Sequence, residues 1–103
     1  MCIFCSIVNK KIPANIVKED EEFIAFKDIN PKAKTHLLVI PKVHSENFQM
    51  TEPETIAKVS SFIQALAKEK NIENNYKIQI NNGEKAGQEV MHLHFHILSN
   101  EAI

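Results

Sequence analysis

Three of the five histidines in this 103-residue chain fall at every second position, in His92-Leu93-His94-Phe95-His96. An extended strand sends successive side chains to opposite faces, so the three imidazoles share one face while Leu93, Phe95 and Ile97 share the other. The row spans roughly 13 Å from first to third. The apolar face belongs in a core. The imidazole face does not, because aliphatic side chains fill a core without burying polar atoms. Two imidazoles on a flat strand can contribute to one metal ion, but a third in line reaches poorly around a tetrahedral centre. Nucleophilic, acid–base or phosphate-binding chemistry fits the row better.

The two glycines of the chain, Gly83 and Gly87, both lie in the turn just before the row. Glycine lets backbone approach a ligand closely and turn N–H groups toward an anion. Asn81, Asn82 and Gln88 add neutral amides able to donate to phosphate oxygens. The two cysteines, Cys2 and Cys5, form a C-x-x-C. In a reducing compartment that spacing suggests zinc or a redox pair rather than a structural disulfide. No βα unit precedes it, which argues against a thioredoxin-like redox motif. A closed tetrahedral zinc site needs about two further ligands. His44, in PKVH, and His92 are the candidates.

The elements that must carry these residues follow from periodicity. Ile3, Phe4, Ile7 and Val8 have helical spacing over residues 3–9. Ile16-Val17 and Phe23–Phe26, joined across EDEE, read as a hairpin. THLLVI, from Thr35 to Ile40, reads as a strand buried on both faces and ended by Pro41. Thr51-Glu52-Pro53-Glu54 has the form of a capping box with proline in the first turn. Behind it Ile56, Val59, Phe62, Ile63 and Leu66 mark the buried side of a helix of about five turns. YKIQIN, Tyr76 to Asn81, alternates with Ile78 and Ile80 inward and leads through the glycine turn into the histidine row. The sum is an α+β domain over residues 1–103, with about five antiparallel strands, one long helix and one short helix. The net charge of −1 and the lack of a basic cluster argue against a nucleic-acid partner. The opening MCIFCSIVNKK has too short an apolar run for a secretory leader, and no run approaches a membrane span. The expectation is a cytoplasmic protein without a membrane partner.

The row resembles the signature of the histidine-triad family, His-φ-His-φ-His-φ-φ with φ apolar, read here from His92 to Leu98. IFCSIVNKKIP, EEFIAFKDINP, THLLVIPKVH and the amide-rich turn resemble blocks of the family branch that hydrolyses nucleoside phosphoramidates. The resemblance implies a five-stranded sheet that pairs into a ten-stranded sheet in a two-fold homodimer. It implies a purine nucleotide substrate, with Asp28 accepting the ribose hydroxyls and Ile3, Phe4, Ile7, Phe26 and Ile29 lining the base pocket. It makes His94 the nucleophile and His36 a fourth histidine supporting the triad. It implies a structural zinc on Cys2, Cys5, His44 and His92, with no cofactor needed for the reaction itself.

Phosphorus chemistry sets what the remaining groups must do. Displacement at phosphorus needs an in-line nucleophile and donors to the equatorial oxygens. A nucleotidyl-histidine would form on His94 and be hydrolysed by water. The second ring nitrogen of His94 should donate, to the carbonyl of His92, so that the attacking nitrogen is free. His96 would donate to the α-phosphate, while Asn81, Gln88 and backbone N–H groups near Gly87 hold its oxygens. Related nucleotidylyltransferases carry glutamine at the third triad position, so His96 points to hydrolysis. Glu89 stands where many relatives have serine or threonine, and would favour a cationic leaving group. After Leu98 the chain reads SNEAI, in place of the Gly-Gly-Arg segment that helps frame the cleft of many relatives. Two other readings stay open: a dinucleoside polyphosphate hydrolase, and a zinc-stabilised nucleotide-binding protein without turnover.

Overall fold

The computed structural model describes residues 2–103; Met1, the first residue of the expected domain, lies outside them. The first helix, α1 (Ile3–Val8), is capped by Cys2, whose sulfur accepts the Cys5 N–H at 3.4 Å. It buries Phe4 and Ile7 and is followed by Lys10 in the left-handed region, φ 59°, which turns the chain away. The hairpin forms as β1 (Ile16–Glu19) and β2 (Phe23–Lys27). Its turn is locked by the Asp20 carboxylate, which accepts the N–H groups of Glu22 and Phe23 at 2.8 Å each. The next strand, β3 (Thr35–Pro41), is buried at every residue, as its unbroken apolar run requires.

The long helix α2 (Pro53–Glu69) buries Val59, Phe62, Ile63, Leu66 and Ala67. Its start differs from expectation. Glu52 is the N-cap and makes no side-chain capping bond, so the Thr51 capping box does not form. The Thr51 hydroxyl instead donates to the carbonyl of Asn47 at 2.7 Å, tying down the loop before the helix. A short edge strand β4 (Lys77–Gln79) and the strand β5 (Phe95–Ser99) complete the fold, separated by a single 3-10 turn at Glu84–Ala86.

One antiparallel sheet runs in the order β1-β2-β3-β5-β4. Alternation gives it two apolar faces. Phe23, Ala25, Leu37, Val39, Phe95 and Ile97 meet α2 on one side. Ile24, Phe26, Leu38 and Ile40 meet Phe4 and Ile7 of α1 on the other. Burying each of the larger of these side chains, Ala25 aside, contributes roughly 1.5–3 kcal/mol. Two expectations about the strands are corrected. The ladder of the histidine strand begins only at Phe95, because Leu93 sends its N–H to the carbonyl of Ser45 at 2.7 Å and not to a neighbouring strand. Tyr76 to Asn81 pairs only from Lys77 to Gln79, and Ile78, although it lies opposite Ile97 and lines a groove against α2, is not buried there: it stays 48% exposed on the edge strand. Ile80 does pack partly against the α2 core.

Candidate active site

The α1 side of the sheet carries the polar residues in rows set by register. His96 lies opposite Leu38 on one side and Gln79 on the other. One step along, Leu98 lies between His36 and Lys77. Asp28 follows β2 and donates its N–H to the carbonyl of His36 at 2.9 Å, which brings it to the end of that row. His94 and His92 extend β5 backward past the ladder, beneath α1. The ring of Phe4 meets that of His94 edge-on at 5.2 Å and that of His92 at 5.8 Å.

Hydrogen bonds to backbone groups decide which ring nitrogen carries the proton. A carbonyl can only accept, so His94 Nδ1 donates to the His92 carbonyl at 2.8 Å, leaving Nε2 with a lone pair. A backbone N–H can only donate, so His36 Nδ1 accepts from Lys32 at 3.1 Å and its Nε2 carries the proton. That proton goes to His96 Nδ1, 2.9 Å away, and places the His96 proton on Nε2. The neutral site therefore offers a bare nitrogen on His94 beside an N–H donor on His96. Burial favours this neutral form. It lowers the affinity of His36 for a proton, opposed by Asp28 and reinforced by Lys32. It does the same at His96, reinforced by His94 and His36 and opposed by Asp28 and Glu89.

These groups open onto a cleft of about 690 Å³ lined by Asp28, His36, Asn81, Gly87, Glu89, His94 and His96, among others. It shares Ile3, Phe4, Asp28 and Ile29 with an adjoining apolar cavity of about 580 Å³, which Ile7 and Phe26 also line. An apolar pocket thus runs into a polar one, and Asp28 lines both. One carboxylate oxygen of Asp28 accepts the Asn30 N–H at 2.8 Å; the other lies 3.5 Å from His36 Nε2. Gly87 has φ 96°, a conformation that favours glycine, with the Asn81 amide 3.5 Å from where a Cβ would stand.

Gln88 departs from its expected place as a phosphate ligand. It is buried, and its amide is fully used: the oxygen accepts the Gly83 N–H at 2.7 Å, and the nitrogen donates to the carbonyls of Glu46 and Val90 at 2.7 and 3.0 Å. It shapes the turn and does not reach the cleft. Conversely, Lys32, Lys77 and Gln79 line the cleft without having been singled out. For Lys77 and Gln79 the signal was present, because they alternate with Ile78 and Ile80. Lys32 acts on His36 through its backbone, which leaves no trace in residue type.

Cys2, Cys5, His44 and His92 converge behind α1, their ligand atoms all within 4.8 Å of one another. His92 Nδ1 lies 3.3 Å from the Cys2 sulfur, 3.6 Å from the Cys5 sulfur and 3.2 Å from His44 Nδ1. Tetrahedral zinc places its N–N and N–S donor pairs roughly 3.3–3.6 Å apart. His92 Nε2 donates to the Pro41 carbonyl at 2.8 Å, leaving Nδ1 bare toward the centre, as a metal ligand requires. The donor set therefore fits zinc. A second cluster, Asp28, His36 and His96, does not fit a cation equally well. The Lys32 N–H occupies His36 Nδ1, so ligation through Nε2 would require an imidazolate.

A glycine turn at the mouth of a cleft, a row of imidazoles and a Cys2-Cys5-His44-His92 cluster beside a short helix, on this sheet order, define a histidine-triad protein. The HIT domain family model matches residues 9–103, and the chain belongs to that family. It is 48% identical over 102 residues to an uncharacterized HIT-like protein of Helicobacter pylori, covering 98% of each. Its fold superposes on a HIT family hydrolase of Legionella pneumophila with a TM-score of 0.92 at 36% identity, covering 98% of this chain and 94% of that one. It also superposes on a Zn-bound histidine triad family protein of Mycobacterium smegmatis, with a TM-score of 0.87 at 38% identity over 97% of this chain and 75% of that one.

Proposed function

We propose that this protein hydrolyses the bond at the α-phosphate of purine nucleoside phosphoramidates, through a nucleotidyl-histidine on His94. The observation that carries the reading is the pair of fixed tautomers, an unprotonated Nε2 on His94 beside an Nε2–H on His96 in one cleft. Neutral imidazole is a competent nucleophile at neutral pH, and no proton has to be removed before it attacks. The base would lie against Ile3, Phe4, Ile7, Phe26 and Ile29, and the ribose hydroxyls would reach Asp28. His96 would hold an α-phosphoryl oxygen, with Asn81 and the backbone at Gly87 holding others. The N–P bond forms as the P–N bond to the leaving amine breaks, the departing nitrogen taking a proton from solvent that the attacking water returns in the second step. Water then cleaves the intermediate, releasing a nucleoside monophosphate and neutral His94. Glu89, exposed at the rim of the cleft, would favour an amine leaving group that carries positive charge.

Cys2, Cys5, His44 and His92 would hold a structural zinc, which fixes α1 and supplies no step of the reaction. The legionella hydrolase and the zinc-bound mycobacterial protein lend the reading the support of similarity. The β4 edge, with Ile78 exposed beside an apolar groove of about 230 Å³, would pair with its copy in a homodimer. One observation favours the polyphosphate reading. A further groove of about 570 Å³ meets the cleft at Lys32, Lys77 and Leu98 and offers room and charge for an anionic leaving group.

Turnover of adenosine 5′-phosphoramidate and of diadenosine polyphosphates by wild type and His94→Ala tests the reading. The expected result is faster release of AMP from the phosphoramidate, reduced by about 10⁴-fold or more in the variant, the scale of a lost nucleophile. Faster cleavage of the polyphosphate would move the assignment to that class. Equal rates in both proteins would overturn the covalent mechanism.

A further inference from the structure

The residues of α1 divide between two sites. Cys2 and Cys5 face the four-ligand cluster, whereas Ile3, Phe4 and Ile7 form one wall of the apolar cavity proposed for the base. Apart from the apolar packing of Phe4 and Ile7 against Ile24, Phe26, Leu38 and Ile40, little else holds this wall. Among the described residues, every backbone hydrogen bond made between Cys2 and Asn9 stays within the segment 2–11. The polar side-chain contacts from Cys2 to Asn9 to other elements, among the described residues, are those of the two sulfurs, Cys2 to His92 and Cys5 to His44 and His92. Lys10, just beyond the helix, adds an exposed ion pair to Glu19. A helix of six residues is far below the length that is stable alone, and only Phe4 and Ile7 are buried in it. Its seating therefore depends on whatever grips its two sides, and such weakly anchored segments open locally at low cost.

We infer that the metal cluster and the base pocket are thermodynamically coupled through α1, so that Cys2, Cys5 and His44 are positioning residues for the nucleotide base. The inference rests on the base-pocket reading proposed above. With zinc bound, Cys2, Cys5, His44 and His92 would be held together, and α1, which carries both sulfurs, would be seated. A purine seated against Ile3, Phe4 and Ile7 favours the same seated position. Two ligands that prefer one state of a shared element each raise the affinity for the other by the same factor. The Phe4 ring makes the connection direct, since it meets His92, one of the four residues of the cluster, and Phe26, which also lines the pocket, at 5.8 and 5.7 Å. Coupling of this kind predicts a factor on the order of 5–150.

The experiment measures the zinc affinity of the full chain by competition with a chromophoric chelator. It is done in buffer, in saturating AMP, and in saturating ribose 5-phosphate. Binding of AMP and of ribose 5-phosphate is followed in parallel, with ribose 5-phosphate detected by its displacement of AMP. AMP should tighten zinc by at least about fivefold, and ribose 5-phosphate, which leaves the α1 wall untouched, should change it less than twofold. Removal of zinc should weaken AMP by the same factor that AMP tightens zinc. Bound AMP with unchanged zinc affinity would overturn the coupling and leave the proposed activity standing. An equal effect of ribose 5-phosphate would overturn its route through α1. Failure of zinc to bind would overturn it, and failure of AMP to bind would overturn both it and the base-pocket reading.

Discussion

At the scale of single residues, the site depends on where three protons sit. His36 accepts from the Lys32 backbone and donates to His96, so it determines which nitrogen of His96 faces the cleft. His36→Ala should lower kcat by about 10–100-fold, the usual effect of losing a group that orients a functional histidine. KM should move little, because His36 would act through His96. A steady-state comparison checks this, and a change confined to KM would contradict it. Burial, first among the causes, lowers the proton affinity of both His36 and His96. In the unfolded chain both titrate near pH 6.5, so as the pH falls the unfolded state takes up protons first. The stability they contribute is present in full above about pH 6.5 and is lost as the pH drops toward their lowered folded values. Chemical denaturation between pH 7.5 and 5 should show this loss in wild type and less of it in His36→Ala. A wild-type stability that rises on acidification would contradict it.

Elements translate these residues into a site, and the glycine turn is the most demanding of them. Gly83 and Gly87 have φ values of 93° and 96°, with Gln88 locking the loop from beneath. Gly87→Ala meets only ordinary contact at Asn81, so its cost is backbone strain, about 1–2 kcal/mol. Denaturation should register that loss together with weaker AMP binding; an unchanged stability would contradict the strain. Much of this level was legible from pattern. Alternation at His92–Ile97, the apolar run of β3 and the period of α2 each follow from burial of one face or two, which residue type reports directly. What was not legible depends on partners distant in sequence. The ladder of β5 starts late because Leu93 bonds to Ser45, Thr51 gives its hydroxyl to Asn47 and not to the helix, and Gln88 is consumed by Glu46 and Val90. An amide beside a glycine looks the same in sequence whether it holds a ligand or a loop.

The whole molecule is a sheet with a structural face and a chemical face, and α1 and α2 divide them. That division left the four-ligand cluster readable in outline, since cysteines at residues 2 and 5 and histidines at 44 and 92 have few other reasons to meet. It did not predict how far Ile78, on the edge strand, would stay exposed. If that edge is the dimer surface, Ile78→Lys should convert a dimer into a folded monomer, because the side chain is already 48% exposed and its removal leaves the core intact. Sedimentation measures this, and a dimer that survives the charge would place the interface elsewhere. The central claim, that His94 forms a covalent bond to phosphorus, is tested most directly by stereochemistry. Hydrolysis of an adenosine 5′-thiophosphoramidate of known configuration, in isotopically labelled water, reports how many displacements occur. Two in-line displacements, first by His94 and then by water, predict retention at phosphorus. Inversion would mean that water attacks directly and would contradict the covalent role of His94.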